Sequence, residues 1–252
     1  MNSSLIVDEN LQEFTDPVLY DAENKWAADD EFYLALAQQI GGSILDVACG
    51  TGRLTRAIAE AGLDITGLDM MPPMLAQAKK RAVHLDIEWI EADCRTMNLG
   101  RTFQLLLMTS HGFQNLLADQ DQDNFLERAF QHLKSGGFLA FETRNPDGRR
   151  YYTQTESQSY AHSFLDVQDQ WIDVSITSTF DTATMIDHLK IDRTQRKTRE
   201  TKHSQIALRY TTIDALTKRL EAHGFTILKQ YGDWAKSPFM PTSPEIITIC
   251  RK

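Results

Sequence analysis

The chain has 252 residues, 42% hydrophobic and 24% charged, an ordinary globular composition at a length that suits one large core or a core with a sizeable insertion. A disordered or fibrous chain is excluded. The formal net charge of −9 also excludes a protein that covers nucleic-acid phosphates with its whole surface, since that binding is driven by Lys and Arg releasing counterions.

The cysteines, Cys49, Cys94 and Cys250, make no Cys-x-x-Cys pair, so neither a disulfide framework nor a cysteine zinc site is expected, and no metal is assigned. Met1 to Leu5 lacks the basic and apolar stretches of a signal peptide, and no run approaches the ~20 apolar residues of a membrane span. A cytoplasmic protein without a membrane partner is the expectation. Acidic residues crowd the start, Glu13, Asp16, Asp21 and Glu23 among them, whereas Arg193, Arg196 and Lys202 belong to a later basic cluster. Both runs are expected to be solvated surface.

In chain order, Trp26, Phe32, Tyr33, Leu34 and Leu36 predict one leading helix over Glu23 to Gln39. Short apolar runs follow at Ser43–Val47, Ile65–Asp69, Ile87–Ala92, Phe103–Thr109 and Phe138–Thr143, alternating with helical patterns at Arg53–Ala61, Pro73–Ala82 and Gln120–Leu133. That alternation predicts a doubly wound α/β sheet, mostly parallel. Ser135-Gly136-Gly137 is expected to stop the last of these helices and turn the chain. From Asn145 to Ile206 the text becomes polar and β-branched, with strict alternation in Ile172–Thr177, which predicts an antiparallel insertion after the fifth strand. A helix capped by Thr211 or Thr212 and stopped at Gly224 comes next, then strands at Phe225–Trp234 and Glu245–Cys250. Their short connection permits a reversed last strand. The domain reading is therefore one α/β unit from 1–144 and 207–252, seven-stranded, with a lobe at 145–206 inserted in it.

Three strand ends carry chemistry. Gly50 and Gly52 let the chain turn tightly from the first strand into a helix and let a ligand approach without meeting a Cβ, and the helix start offers free N–H groups to an anion. A dinucleotide fingerprint would need a third glycine where Thr55 stands, and a nucleoside-triphosphate loop would need Gly-Lys-Ser/Thr. Asp69 ends the second strand at a distance from Gly52 that suits contact with ribose hydroxyls, and Asp93 ends the third, where it can accept from an adenine amino group.

In order and spacing, these features resemble the class I S-adenosylmethionine-dependent methyltransferases over about the first 145 residues. The terminal strand pair resembles that family's reversed hairpin. The loop Val47-Ala48-Cys49-Gly50-Thr51-Gly52 is similar to that of glycine N-methyltransferases and sugar N,N-dimethyltransferases, which also carry an antiparallel lobe after the fifth strand. The resemblance implies S-adenosylmethionine as cofactor. It also implies that Ala48, Gly50 and Gly52 face its methionine part, Asp69 the ribose, Met70 and Cys94 the adenine faces, and Asp93 the adenine amino group. Thr109 would lie near the methyl, and Tyr20 would cover the cofactor.

Methyl transfer from a sulfonium asks mainly for alignment, exclusion of water and sometimes removal of a proton. His111, just after the fourth strand, is the candidate general base because imidazole titrates near neutral pH. Arg144 suits a bidentate hold on a substrate carboxylate. Trp171 and Trp234 are candidate aromatic walls of the acceptor pocket, with Tyr151, Tyr152, Phe164 and Tyr210 as further aromatics of the lobe. No Asn/Asp/Ser-Pro-Pro-aromatic motif follows the fourth strand and no cysteine stands there, so a small-molecule acceptor is favoured over nucleic acid. The reading is a methyltransferase acting in line on an N or O atom of a small molecule, with a homodimer among the possible states. The alternatives are a cofactor-binding module without turnover and, further off, a nicotinamide-dependent oxidoreductase. The lobe is expected to sit beside the methyl donor and set substrate choice, separable from cofactor binding.

Overall fold

The computed structural model describes residues 9–148 and 158–252, so Tyr151 and Tyr152 lie outside the described residues. Seven strands form the main sheet: β1 (Ile44–Val47), β2 (Ile65–Asp69), β3 (Glu88–Glu91), β4 (Phe103–Met108), β5 (Leu133–Arg144), β10 (Thr226–Tyr231) and β11 (Glu245–Arg251). Their order is β10-β11-β5-β4-β1-β2-β3, parallel throughout except that β11 runs against both β5 and β10. The order in which the chain adds strands switches sides between β1 and β4, which are parallel and paired, and this opens a crevice at their carboxyl ends.

Successive β4 residues show why the strands read as unbroken apolar runs. Leu105 and Leu107 join a core on one face with Phe32, Tyr33, Leu54 and Ile58, whereas Leu106 and Met108 join a second core with Phe125, Leu216 and Leu220. Both faces are covered, so the usual alternation of apolar and polar residues disappears. The helices that cover them are α2 (Ala28–Ile40), α3 (Arg53–Glu60), α4 (Pro72–Arg81), α5 (Asp119–His132) and α6 (Ile213–Ala222), the last capped by Thr212 Oγ1 accepting from Ala215 N–H at 3.3 Å.

Two local expectations are corrected. The leading helix expected over Glu23 to Gln39 begins only at Ala28, and a separate α1 (Pro17–Glu23) precedes it: Asn24 closes α1 by donating from Nδ2 to Tyr20 O, while Asp30 Oδ2 accepts from Ala27 N–H and starts α2. The expected turn at Ser135–Gly137 lies inside β5. Leu133 pairs with Phe103 and Phe138 with Leu105, so β5 bulges there, at Gly136 with φ +75.

The inserted chain forms a separate four-stranded antiparallel sheet of β6 (Gln158–Leu165), β7 (Trp171–Asp181), β8 (Ile186–Gln195) and β9 (Thr201–Arg209), in that spatial order. The last strand runs past the expected boundary at Ile206. Ile172, Val174, Ile191, Ile206, Leu208 and Tyr210 make its core. Among the described residues no helix is long and apolar enough to cross a membrane.

Gly52 has φ +72, and a Cβ on it would run into the Trp89 ring and stand 3.2 Å from Ala78 Cβ. Left-handed backbone and overpacking each cost a side chain about 1–2 kcal/mol or more, so Gly52→Ala should lose at least about 2 kcal/mol of stability. Urea unfolding measures it, and a loss below half that value would mean that Trp89 moves aside freely.

Candidate ligand site at the carboxyl edge

The turn after β1 is built from left-handed residues: Ala48 at φ +57, Gly50 at +56 and Gly52 at +72. Alanine in that region is strained, and such strain persists where the surroundings enforce it. Asp69 does the enforcing, since its Oδ2 accepts from Gly50 N–H at 2.7 Å and its Oδ1 from Met71 N–H at 2.8 Å. One buried carboxylate thus ties the loop after β1 to the loop after β2. Burial raises its pKa, opposed by these backbone donors.

Above the turn lies a cavity of about 960 Å³ of empty space, its open mouth included. Ala48, Gly50 and Asp69 form its floor, Met70, Ala92, Asp93, Cys94 and Leu116 one end, and Met108, Thr109, Ser110 and Gly112 a side wall. Asn10, Leu11, Phe14 and Tyr20, from the chain before the sheet, cover it. A Cβ on Gly50 would approach Met74 Cε at 3.4 Å. Burial pushes the Tyr20 hydroxyl and the Cys94 thiol each up to about 12, so both are neutral walls.

A smaller recess adjoins it, lined by Asp46, Ala48, Thr51, Arg53 and Ser110. Asp46 Oδ2 accepts from Thr55 Oγ1 at 2.6 Å, but its Oδ1 is buried and has no partner. Asn115 Oδ1, in the cavity wall, is likewise buried and unpartnered. Unmet buried acceptors are rare enough to mark places where a ligand or water completes the bonding.

The expected site residues separate into two groups. Tyr20, Ala48, Gly50, Asp69, Met70, Asp93, Cys94 and Thr109 all line the cavity. Asp93, however, is held by Arg95, whose Nη2 donates to Oδ2 at 2.7 Å and whose backbone N–H donates to Oδ1 at 2.8 Å; burial works against these bonds, which still keep the carboxyl below its usual range. Gly52 is not in the lining and serves the packing of α3 on Trp89.

His111 is also turned away from the cavity. Its backbone, strained at φ +58, donates to Glu142 Oε1 at 2.7 Å, and its Nε2 lies 3.0 Å from Glu245 Oε2. Tyr33 donates its hydroxyl to the other oxygen of Glu142. Burial, with the Arg144 cation adding to it, drives His111 down to about 4, and burial raises Glu245 to about 7. The near-neutral titration expected of His111 therefore belongs to Glu245. Glu245 was missed because nothing local distinguishes a buried strand carboxylate from a solvated one.

Arg144 donates from its backbone N–H and Nη1 to Gln114 Oε1, at 3.2 and 3.3 Å. Trp234 packs edge-on against Phe32 and Tyr33, and Trp171 is exposed beneath the Arg196 guanidinium at 5.0 Å. Neither tryptophan lines the cavity, and Phe164 and Tyr210 are packed in the lobe core.

Burial raises the Asp46 carboxyl from 3.8 to about 7. An acid raised in the folded state stabilises fully below its unfolded pKa and loses that contribution as pH rises to about 7. Asp46→Asn should therefore gain stability relative to the parent as pH rises from about 4 to about 7, with no further change above that. Urea midpoints of both proteins at each pH check this; a pH-independent difference would place the carboxylate in contact with water.

Residues 44–137 match the methyltransferase domain family. A glycine/sarcosine N-methyltransferase of Parasynechococcus marenigrum (strain WH8102) is 28% identical, over 66% of this chain and 62% of its own length. A dTDP-3-amino-3,6-dideoxy-alpha-D-glucopyranose N,N-dimethyltransferase of Streptomyces fradiae is 33% identical over 40% of this chain and 38% of its own. The chain spans less than two thirds of the length of the curated relatives it matches. Among solved structures, the CcbJ methyltransferase of Streptomyces caelestis superposes with a TM-score of 0.83 at 16% identity, over 97% of this chain and 98% of that one. With the strand order, the glycine turn and the acid at the end of β2, these matches show that the chain carries a methyltransferase domain over residues 44–137 and has the fold of the S-adenosylmethionine-dependent methyltransferases.

Proposed function

We propose that the protein transfers a methyl group from S-adenosylmethionine to a nitrogen or oxygen atom of a small molecule. The observation that carries this is the cavity over Gly50 and Asp69 at the crevice between β1 and β4. Its residues fit the cofactor. The floor has no side chain at Gly50, and Asp69, with one backbone donor on each oxygen, keeps lone pairs for a diol. Cys94, Ala92, Leu116 and Met70 make an apolar slot for a flat base. The unmet Oδ1 of Asp46 and the Arg53 guanidinium in the recess suit an amino-acid ammonium and carboxylate.

S-Adenosylmethionine supplies a methyl on a positively charged sulfur, open to in-line displacement by an amine or hydroxyl. The chain's part is placement. Thr109, Ser110 and Gly112 wall the cavity, and the Glu142 bond to His111 N–H fixes the turn between them. Tyr20 and Phe14 close it above and exclude water. Glu245, which burial raises to about 7, is held by His111, and neither lines the cavity, so neither member of this pair is assigned as a base.

Arg144 follows the end of the same wall, and its charge acts on His111 and Glu245. Its remaining N–H groups suit an acceptor carboxylate, which makes amino acids and related amines the first acceptors to screen. The lobe, entering from β5 at Arg144, belongs with the acceptor. Radiolabelled methyl transfer to amines, amino acids, hydroxy acids and phenols tests the activity. Tight cofactor binding without any product would favour a module that binds the cofactor without turnover. Once an acceptor is found, Arg144→Ala should raise KM about 10–100-fold for acceptors with a carboxylate, the loss expected of a charge-assisted bond. Equal effects on neutral and carboxylate acceptors would remove Arg144 from that role.

A further inference from the structure

Most of the lobe's basic cluster is exposed, as expected, but Arg193 is not. The Arg193 side chain on β8 is only 10% exposed and is paired with Glu13 and Glu23, each 12% exposed, both from the segment before the sheet. Its Nε donates to Glu23 Oε2 at 2.6 Å, and its Nη2 donates to Glu13. Both of its carboxylate partners come from outside the lobe. Ser204 Oγ also donates to Glu13 at 2.6 Å, and His162 lies 2.8 Å from Glu23. Nearby, Asn10 exchanges two hydrogen bonds with the backbone of Ala207, and Lys202 pairs with Asp16.

The same segment covers the cavity. Phe14 lines it and packs on the lobe core as well, and Tyr20 meets Phe14 edge-on at 6.2 Å. At the far end Asp21 accepts from Thr51 Oγ1 in the glycine turn at 2.6 Å and pairs with Arg81 of α4 at 2.5 Å. The cover is therefore tied on one side to the cofactor domain and on the other to the lobe.

We propose that Arg193 is a positioning residue, the latch by which the lobe holds the cover over the cofactor cavity, so that a residue touching no cofactor sets how firmly the cofactor is held. This rests on the cofactor reading above. The reason is one of charge: without Arg193, closing the cover buries the Glu13 and Glu23 carboxylates against the lobe without their cation. The open state gains, and a ligand that requires the closed state binds more weakly in proportion. The lobe is then not separable from cofactor binding, as chain order alone suggests.

Arg193→Met and Glu13→Gln test the latch from its two sides, the second without altering the lobe. Titration with S-adenosylhomocysteine and a stopped-flow dissociation rate are read beside urea stability. Arg193→Met should bind about 10–100-fold more weakly through faster dissociation, with Arg193→Lys recovering most of the loss because the cation remains. Trypsin cleavage after the exposed Lys25 should quicken in parallel, with no ligand present. Added salt should speed dissociation from the parent and change Arg193→Met less. Affinities within twofold of the parent for both Arg193→Met and Glu13→Gln, or weakening that Arg193→Lys fails to recover, overturn the latch. If the parent itself does not bind S-adenosylhomocysteine, the cofactor reading falls, and the Lys25 cleavage rate alone decides whether Arg193 holds the cover.

Discussion

The site depends on one carboxylate. Asp69 accepts the Gly50 and Met71 N–H groups and so fixes two loops that would otherwise move independently. Its place at the end of β2, next to β1 in the sheet, is what allows one side chain to reach both. The bonds also hold Ala48 and Gly50 in left-handed backbone, which clears the cavity floor. A second strained turn, Ser110 at φ +54 and His111 at +58, forms the opposite wall and is held in the same manner by Glu142. Both strained turns meet the cavity, and both are fixed by a buried carboxylate accepting from backbone.

Buried acids are a burden to the fold. Asp46, Asp69 and Glu142 all have raised pKa values from burial, and Asp46 keeps one oxygen without a partner. A sequence selected for stability alone would fill these places with apolar groups. Their retention where ligand-lining backbone must be positioned fits a trade of stability for a preorganised site.

Much of this was legible in the sequence, for definite physical reasons. β1, β2, β4 and the core of β5 are covered on both faces and so read as apolar runs. The two glycines and Asp69 stood out because backbone approach and strand-end position restrict residue type strongly. Less legible were features set by contacts distant in sequence. Nothing around His111 tells that its ring turns to Glu245, 134 positions later, and nothing around Arg193 points to Glu13, 180 positions earlier. Trp171 and Trp234 were plausible walls on composition, but aromatic character alone does not fix which side of an element a ring faces.

The central claim is that the cavity over Gly50 and Asp69 holds S-adenosylmethionine. Isothermal titration of the full chain with S-adenosylmethionine, S-adenosylhomocysteine and a nicotinamide dinucleotide tests it most directly. The account predicts one site per chain for the first two, in the micromolar range, and no heat from the dinucleotide. Absence of binding by both sulfur nucleosides at millimolar concentration, or dinucleotide binding of similar strength, would contradict it.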